Sequence, residues 1–173
     1  MIDKKLVQQF QNGKEEAFND LVKNHQEWVR SFIYKTIQHK EDAEDLAQEV
    51  FVKIYFALHK FRMEAEFKTW LYRIILNQLN NYFRKQKILS IFQHDMPYID
   101  PGNEHRESKE SRLELIGFTK KLPKQQKNIV VLRSFQDLPF KRIASILEIT
   151  ENSAKVSYHK AIEKMKGFIK GGK

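Results

Sequence analysis

EDAEDLAQEVFVKIYFALHKF (41–61), RMEAE (62–66) and FKTWLYRIILNQLNNYFRKQK (67–87) read as two long helices joined by a short charged turn. In the first, Ala43, Leu46, Ala47, Val50, Phe51, Ile54 and Leu58 recur at three- and four-residue steps and form an inner face. Asp45, Gln48, Glu49 and Val52, at i, i+3, i+4 and i+7, share a different face. Five acids and no base lie between Glu41 and Glu49. Acids in a first turn complement the helix dipole, which accounts for Glu41 and Asp42 but less well for Glu49, two turns in. That face reads as solvated surface, as a docking surface or, with Asp42, Asp45 and Glu49, as ligands of one cation. The cation reading lacks clustered histidine and the glycine-turned loop of calcium sites. In the second helix Phe67, Trp70, Leu71, Ile74, Ile75 and Tyr82 bury one side. Thr69, Arg73, Asn77, Asn80 and Arg84 make a polar stripe opposite, flanked by Tyr72 and Phe83, and the helix ends in Arg84, Lys85 and Lys87. Cations that follow a backbone, rings that stack and amides that read base edges suit single-stranded nucleic acid. A well-packed helix with a solvated face produces the same spacing.

Upstream, the pattern predicts a short helix over Lys4–Gln11, a break at Gly13 and a longer helix from about Glu15. In the longer one Ala17, Phe18, Leu21, Val22, His25, Trp28, Val29, Phe32, Ile33 and Ile37 form one apolar face, the mark of a core helix. Downstream, ILSIFQHDMPYIDPGNEHRESKES (88–111) holds two of the four prolines and a Pro-Gly pair without sustained periodicity, so it reads as a linker. Its apolar start, Ile88, Leu89, Ile91 and Phe92, can still dock on a surface. Fully extended, such a segment reaches at most ~80 Å, enough to cross one or two turns of duplex at ~34 Å each.

The C-terminal part reads as short helices. One spans Arg112–Lys121 and stops at Leu122-Pro123; another spans Lys124–Phe135, with Ile129, Val130, Leu132 and Phe135 inward. Pro139 can start a third, with Ile143, Ala144, Ile146 and Leu147 as its apolar face. Glu148-Ile149-Thr150 is a turn, and Thr150 suits the N-cap of the last helix. There Ala154, Tyr158, Ala161, Ile162, Met165 and Phe168 point inward. Asn152, Ser153, Val156, His159 and Lys160 point outward, with Lys155 and Ser157 on the flanks. This is the spacing of a helix-turn-helix, whose second helix enters the major groove. Outward Lys and Asn can meet base edges and Val a thymine methyl. Lys141 and Arg142 are better placed for phosphates, which position rather than specify. A helical hairpin with no DNA role is the bland alternative, and the exposed Val156 and the local charge argue against it.

The chain of 173 residues suits one domain or two small ones. Its 41% hydrophobic and 31% charged residues describe a folded composition. The net charge is +9 and unevenly placed: residues 1–103 hold 15 Lys and Arg against 14 acids, residues 104–173 hold 16 against 8. A basic C-terminal third fits a polyanion, nucleic acid before membrane. The absence of cysteine excludes disulfides and thiolate zinc sites and fits a reducing compartment. No apolar run approaches the ~18 residues of a membrane span, and the first residues lack the apolar core of a signal peptide. The expected location is the cytoplasm, with no metal and no cofactor.

These motifs together resemble the bacterial RNA polymerase sigma factors of the extracytoplasmic function type, in the sigma-70 family. The likeness runs from Gly13-x3-Ala17-Phe18-x2-Leu21 through EDAEDLAQEVFVKIY and FKTWLYRIILN to LPKQQKNIVVLRSFQDLPFKRIASILEIT. The run Phe67-x-Thr69-Trp70-Leu71-Tyr72-Arg73-Ile74-x2-Asn77 is its most specific part. The resemblance implies an all-α protein: a region 2 domain over residues 1–88, a flexible linker over 89–111 and a helix-turn-helix region 4 domain over 112–173. It implies a transcription initiation factor without a catalytic site. Such a factor binds core RNA polymerase, directs it to promoters in response to a stress or envelope signal, and helps open the −10 region. Asp45, Gln48, Glu49 and Val52 would grip the polymerase β′ clamp helices, and region 4 the β flap. Phe61, Arg62, Met63, Glu64, Trp70, Arg73, Asn77, Asn80 and Arg84 would serve melted −10 DNA, where a base is flipped into a pocket. Arg142, Asn152, Ser153, Lys155, Val156, Ser157, His159 and Lys160 would serve the −35 duplex. An anti-sigma factor is an expected partner, covering the faces used for polymerase.

Three departures stand out. Glu148 occupies a turn position where the family often has Gly. Ser153-Ala154-Lys155-Val156-Ser157 stands where Thr-Val-Lys-Ser-Arg is frequent, which removes an arginine at Ser157. Asn81-Tyr82 replaces a common Asp-Tyr. Two rival functions remain at this level: a helix-turn-helix regulator that does not dock in polymerase, and a metal-dependent nuclease built on Asp42, Asp45 and Glu49.

Overall fold

Gly13 ends the first helix by taking φ 89°, a left-handed conformation that costs glycine nothing and reverses the chain after α1 (Ile2–Gln11). α2 (Glu16–Ile37) then returns along α1, and α3 (Lys40–Leu58) and α4 (Phe67–Phe92) complete the N-terminal group. This computed structural model describes residues 2–92 and 116–170. The first C-terminal helix expected over Arg112–Lys121 lies partly outside the described residues; residues 116–120 are helical and are called α5. α6 (Lys124–Val130) continues into a wider π turn over Val131–Phe135, followed by α7 (Phe140–Leu147) and α8 (Glu151–Lys170). Every described element is helical.

The inner faces pack as their periodicity demands. Leu21, Val29, Phe32 and Ile33 of α2 meet Val50, Ile54 and Leu58 of α3 and Leu71, Ile75 and Leu79 of α4 in a buried cluster. Trp28, Phe32 and Tyr72 meet edge to face, with centroids 4.9 to 5.7 Å apart, a geometry the aromatic quadrupole favours. Gln11 fixes the far end of α3: its Nε2 donates to the carbonyls of Leu58 and Phe61, both at 2.9 Å.

α4 is longer than the sequence pattern implies. It runs to Phe92, past the boundary expected at residue 88, because neither glycine nor proline interrupts the chain before Pro97. The rest of the expected linker, and its apolar side chains Ile88, Leu89, Ile91 and Phe92, lie outside what is described.

The C-terminal helices pack on the N-terminal group. Ile129, Val131, Leu132, Phe135, Ile143 and Ile146 belong to the same buried cluster as the core of α2 to α4. Gln136 Nε2 donates to Phe32 O at 3.1 Å across this junction. A smaller cluster of Leu122, Val130, Ala161 and Met165 holds α8 against α5 and α6.

Candidate functional site

α3 presents the expected face intact. Asp45, Gln48, Glu49 and Val52 are all exposed, Val52 by 53%. His39 caps the helix by accepting from the Asp42 N–H. Glu49 is steadied from behind, where the buried Gln78 of α4 donates from Nε2 to Glu49 Oε2 at 3.2 Å. Phe56, one turn beyond Val52, is 72% exposed and extends this face with a ring. The sequence reading missed it, although its i+4 spacing from Val52 is a usable signal. Gln78 gave no such signal, being an amide on an inward position.

The cation reading of this helix finds no geometry. Asp42 Oδ2 accepts the Tyr82 hydroxyl at 2.6 Å and Asp42 Oδ1 lies 3.4 Å from His39 Nδ1. Among the described residues no three or more His, Asp or Glu gather as a metal site. Burial, with the hydrogen bond and charge of Asp42, raises the Tyr82 pKa well above the ordinary phenol value.

Between α3 and α4 the chain turns through Phe61–Glu66. Phe61 is 8% exposed and stacks on Trp70, centroids 4.6 Å apart and planes at 23°. Met63 is half-buried in a left-handed conformation, φ 56°. Arg62 and Glu64 point out to solvent. The loop is thus an apolar floor under a charged rim.

The polar stripe on α4 is not open in the way its spacing implies. Thr69 is only 3% exposed, and the flanking Tyr72 and Phe83 are buried too. Burial raises the Tyr72 pKa, with the nearby Arg142 charge opposing. Arg73 and Asn80 face the C-terminal helices. Arg73 donates from Nε to Ile146 O at 2.7 Å and pairs with Glu148 at 2.8 Å; Asn80 Nδ2 donates to Asn128 Oδ1 at 2.8 Å. Asn77 and Arg84 remain exposed. Helical spacing defines a face, and here the C-terminal helices engage Arg73 and Asn80 of it.

The helix-turn-helix has the expected form. α7 ends at Leu147, Glu148 is left-handed with φ 56°, and the Thr150 hydroxyl accepts the Ser153 N–H at 3.0 Å, capping α8. Ala154, Ala161 and Met165 are buried. Asn152, Ser153, Lys155, Val156, His159 and Lys160 are exposed along α8, and Ser157 is half-buried. Arg142, expected to meet phosphate, instead pairs with Glu66 of the α3–α4 loop at 2.9 Å.

The family description Sigma-70 region 2 matches residues 21–88 and Sigma-70, region 4 matches residues 112–165. The ECF RNA polymerase sigma-E factor of Haemophilus influenzae is 31% identical over 182 aligned residues, covering 98% of this chain and 96% of that protein. The solved structure of CnrH in complex with the cytosolic domain of CnrY covers 100% of both chains at a TM-score of 0.65 and 20% identity. That of the sigma factor RpoE in complex with the anti-sigma factor NepR, from Bartonella quintana, covers 88% of this chain and 96% of that chain at a TM-score of 0.55 and 17% identity. The chain therefore belongs to the sigma-70 family, in its extracytoplasmic function group, and is a transcription initiation factor that directs RNA polymerase to promoters. Among the described residues no helix is long and apolar enough to cross a membrane.

Proposed function

We propose that each function falls on a separate surface of the chain. The α3 face of Asp45, Gln48, Glu49 and Val52, extended by Phe56, docks on the β′ clamp helices of core polymerase. Region 4 docks on the β flap. Charged residues around an apolar anchor are the usual anatomy of such an interface, and the observation that carries the reading is the unbroken exposure of these five side chains. The loop from Phe61 through Arg62, Met63 and Glu64, with Trp70 beneath and Asn77 beside it, holds an unpaired −10 base. Arg73, Asn80 and Arg84 follow the strand. Capture of extruded bases offsets an unstacking cost of a few kcal/mol each. Asn152, Ser153, Lys155, Val156, Ser157, His159 and Lys160 of α8 meet the −35 duplex, with Arg142 on its phosphates.

The protein supplies no catalytic group; polymerase performs the chemistry. Its place of action is the cytoplasm. The domains divide as residues 1–88, a connection over 89–111 and residues 112–173. Release from an anti-sigma factor in response to a stress or envelope signal governs its activity, a reading supported by the solved neighbour held with such a partner.

Charge reversal separates these surfaces. Asp45→Lys with Glu49→Lys should abolish binding to core polymerase and leave binding of −35 duplex unchanged. Retained polymerase binding would refute the assignment of α3 and favour a regulator that acts without docking.

A further inference from the structure

α3 ends at Leu58, and the backbone then turns tightly, the Phe61 N–H donating to Leu58 O at 3.1 Å. The last carbonyls of a helix lack intrahelical partners and need donors from elsewhere. Gln11 of α1 is such a donor: its Nε2 donates to Leu58 O and to Phe61 O, both at 2.9 Å. An amide nitrogen carries two hydrogens, so one serves each end of this turn. Among the described residues, no other side chain bonds to the backbone between Leu58 and Glu66. Gln11 is itself held in place. Phe10 beside it is buried and sets its ring against Phe18, Tyr55 and His59, with centroids 4.6 to 5.7 Å apart. Near the start of α1, Asp3 Oδ1 lies 3.0 Å from His25 Nε2 of α2.

The turn that Gln11 fixes leads straight into the α3–α4 loop. Phe61 stacks on Trp70 there, and the far end of the loop is fixed by α4, where the Trp70 N–H donates to Glu66 O at 3.1 Å. Between these ends Met63 takes φ 56°, a conformation that is strained for a side chain and persists only where its flanks are held. Gln11 also lies ahead of residues 21–88, the part that the region 2 description matches.

We propose that Gln11 is a positioning residue for the −10 pocket: from α1 it braces the turn between Leu58 and Phe61, so that the loop is ordered before an unpaired base arrives. The inference rests on the assignment of that loop to −10 DNA. Gln11 acts through the two carbonyls it binds, and a pocket already ordered spares the flipped base the cost of ordering it.

Holoenzyme assembled from core polymerase and the full chain is used to select strands from a pool of short single-stranded DNA of random sequence, and the bound strands are sequenced. The unaltered chain is compared with Gln11→Leu, Gln11→Lys and Asn77→Ala. Gln11→Leu removes both donors at similar size and should lower the enrichment of the selected base about three- to tenfold, as expected when two bonds that order the loop are lost. Hydrogen exchange of the free chain should show the amides of residues 62–66 losing protection in the same variant. Affinity for core polymerase should not change, because Asp45, Gln48, Glu49 and Val52 lie on turns of α3 to which Gln11 does not bond. Gln11→Lys, whose ammonium can donate to both carbonyls, should restore the enrichment. Selection left intact in Gln11→Leu while Asn77→Ala loses it overturns the brace and leaves the loop its DNA role. Selection unaltered in both variants refutes the DNA role of the loop, and the proposal falls with it. A residue that only stabilised the fold would lower polymerase binding together with selection, and that result also overturns the proposal.

Discussion

Lys155 and Lys160 lie on the exposed side of α8, and their surroundings differ. Lys155 Nζ holds Glu151 Oε1 at 2.7 Å one turn back, so it must exchange a carboxylate for a phosphate to reach DNA. Such exposed pairs contribute little, which makes the exchange inexpensive. Each lysine that neutralises a phosphate releases condensed counterions, so Lys155→Ala and Lys160→Ala should each flatten the slope of log affinity against log salt by about one unit on −35 duplex. Equilibrium binding over a salt series reads this directly, and an unchanged slope would mean α8 does not face the backbone. Val156, 44% exposed between them, fits an apolar contact in the groove rather than a core position.

At the scale of elements, α3 and α4 are joined by Tyr82, whose hydroxyl donates to Asp42 at 2.6 Å and so ties the start of one helix to the far half of the other. Tyr82→Phe should cost about 1 kcal/mol at neutral pH, the usual worth of one such bond, measured by denaturant unfolding. The pH dependence has a defined sign. The unfolded phenol ionises near pH ~10, and burial with Asp42 raises the folded value above that. The contribution is complete below pH ~10 and is lost as pH rises beyond it, because only the unfolded chain gains from ionisation. Tyr82→Phe removes this share of the alkaline fall in stability; Tyr72, also raised by burial, retains its own.

The helices themselves were legible in the sequence because apolar periodicity, the Gly13 break, Pro139 and the Thr150 cap are local signals. So were the outer faces of α3 and α8, which no other described element covers. The α4 stripe was not. Arg73 meets Glu148, and Asn80 meets Asn128, through contacts between residues distant in sequence. No local pattern encodes which exposed face a second helical group will cover. Glu148 was legible as a misfit at a turn, but its partner was visible only in three dimensions.

At the scale of the molecule, the charge asymmetry and the junction belong together. The basic C-terminal third is drawn to DNA, yet in this arrangement Arg142 and the end of α7 are turned onto α4 and the Phe61–Glu66 loop. The halves share one buried cluster, so any separation of them would expose apolar surface. The most direct test of the whole account is transcription from a library of random promoters with core polymerase and this protein, followed by sequencing of the start sites. The predicted result is protein-dependent transcripts whose templates share a −35 and a −10 element at fixed spacing. Transcripts without a shared motif, or none above core polymerase alone, would contradict it.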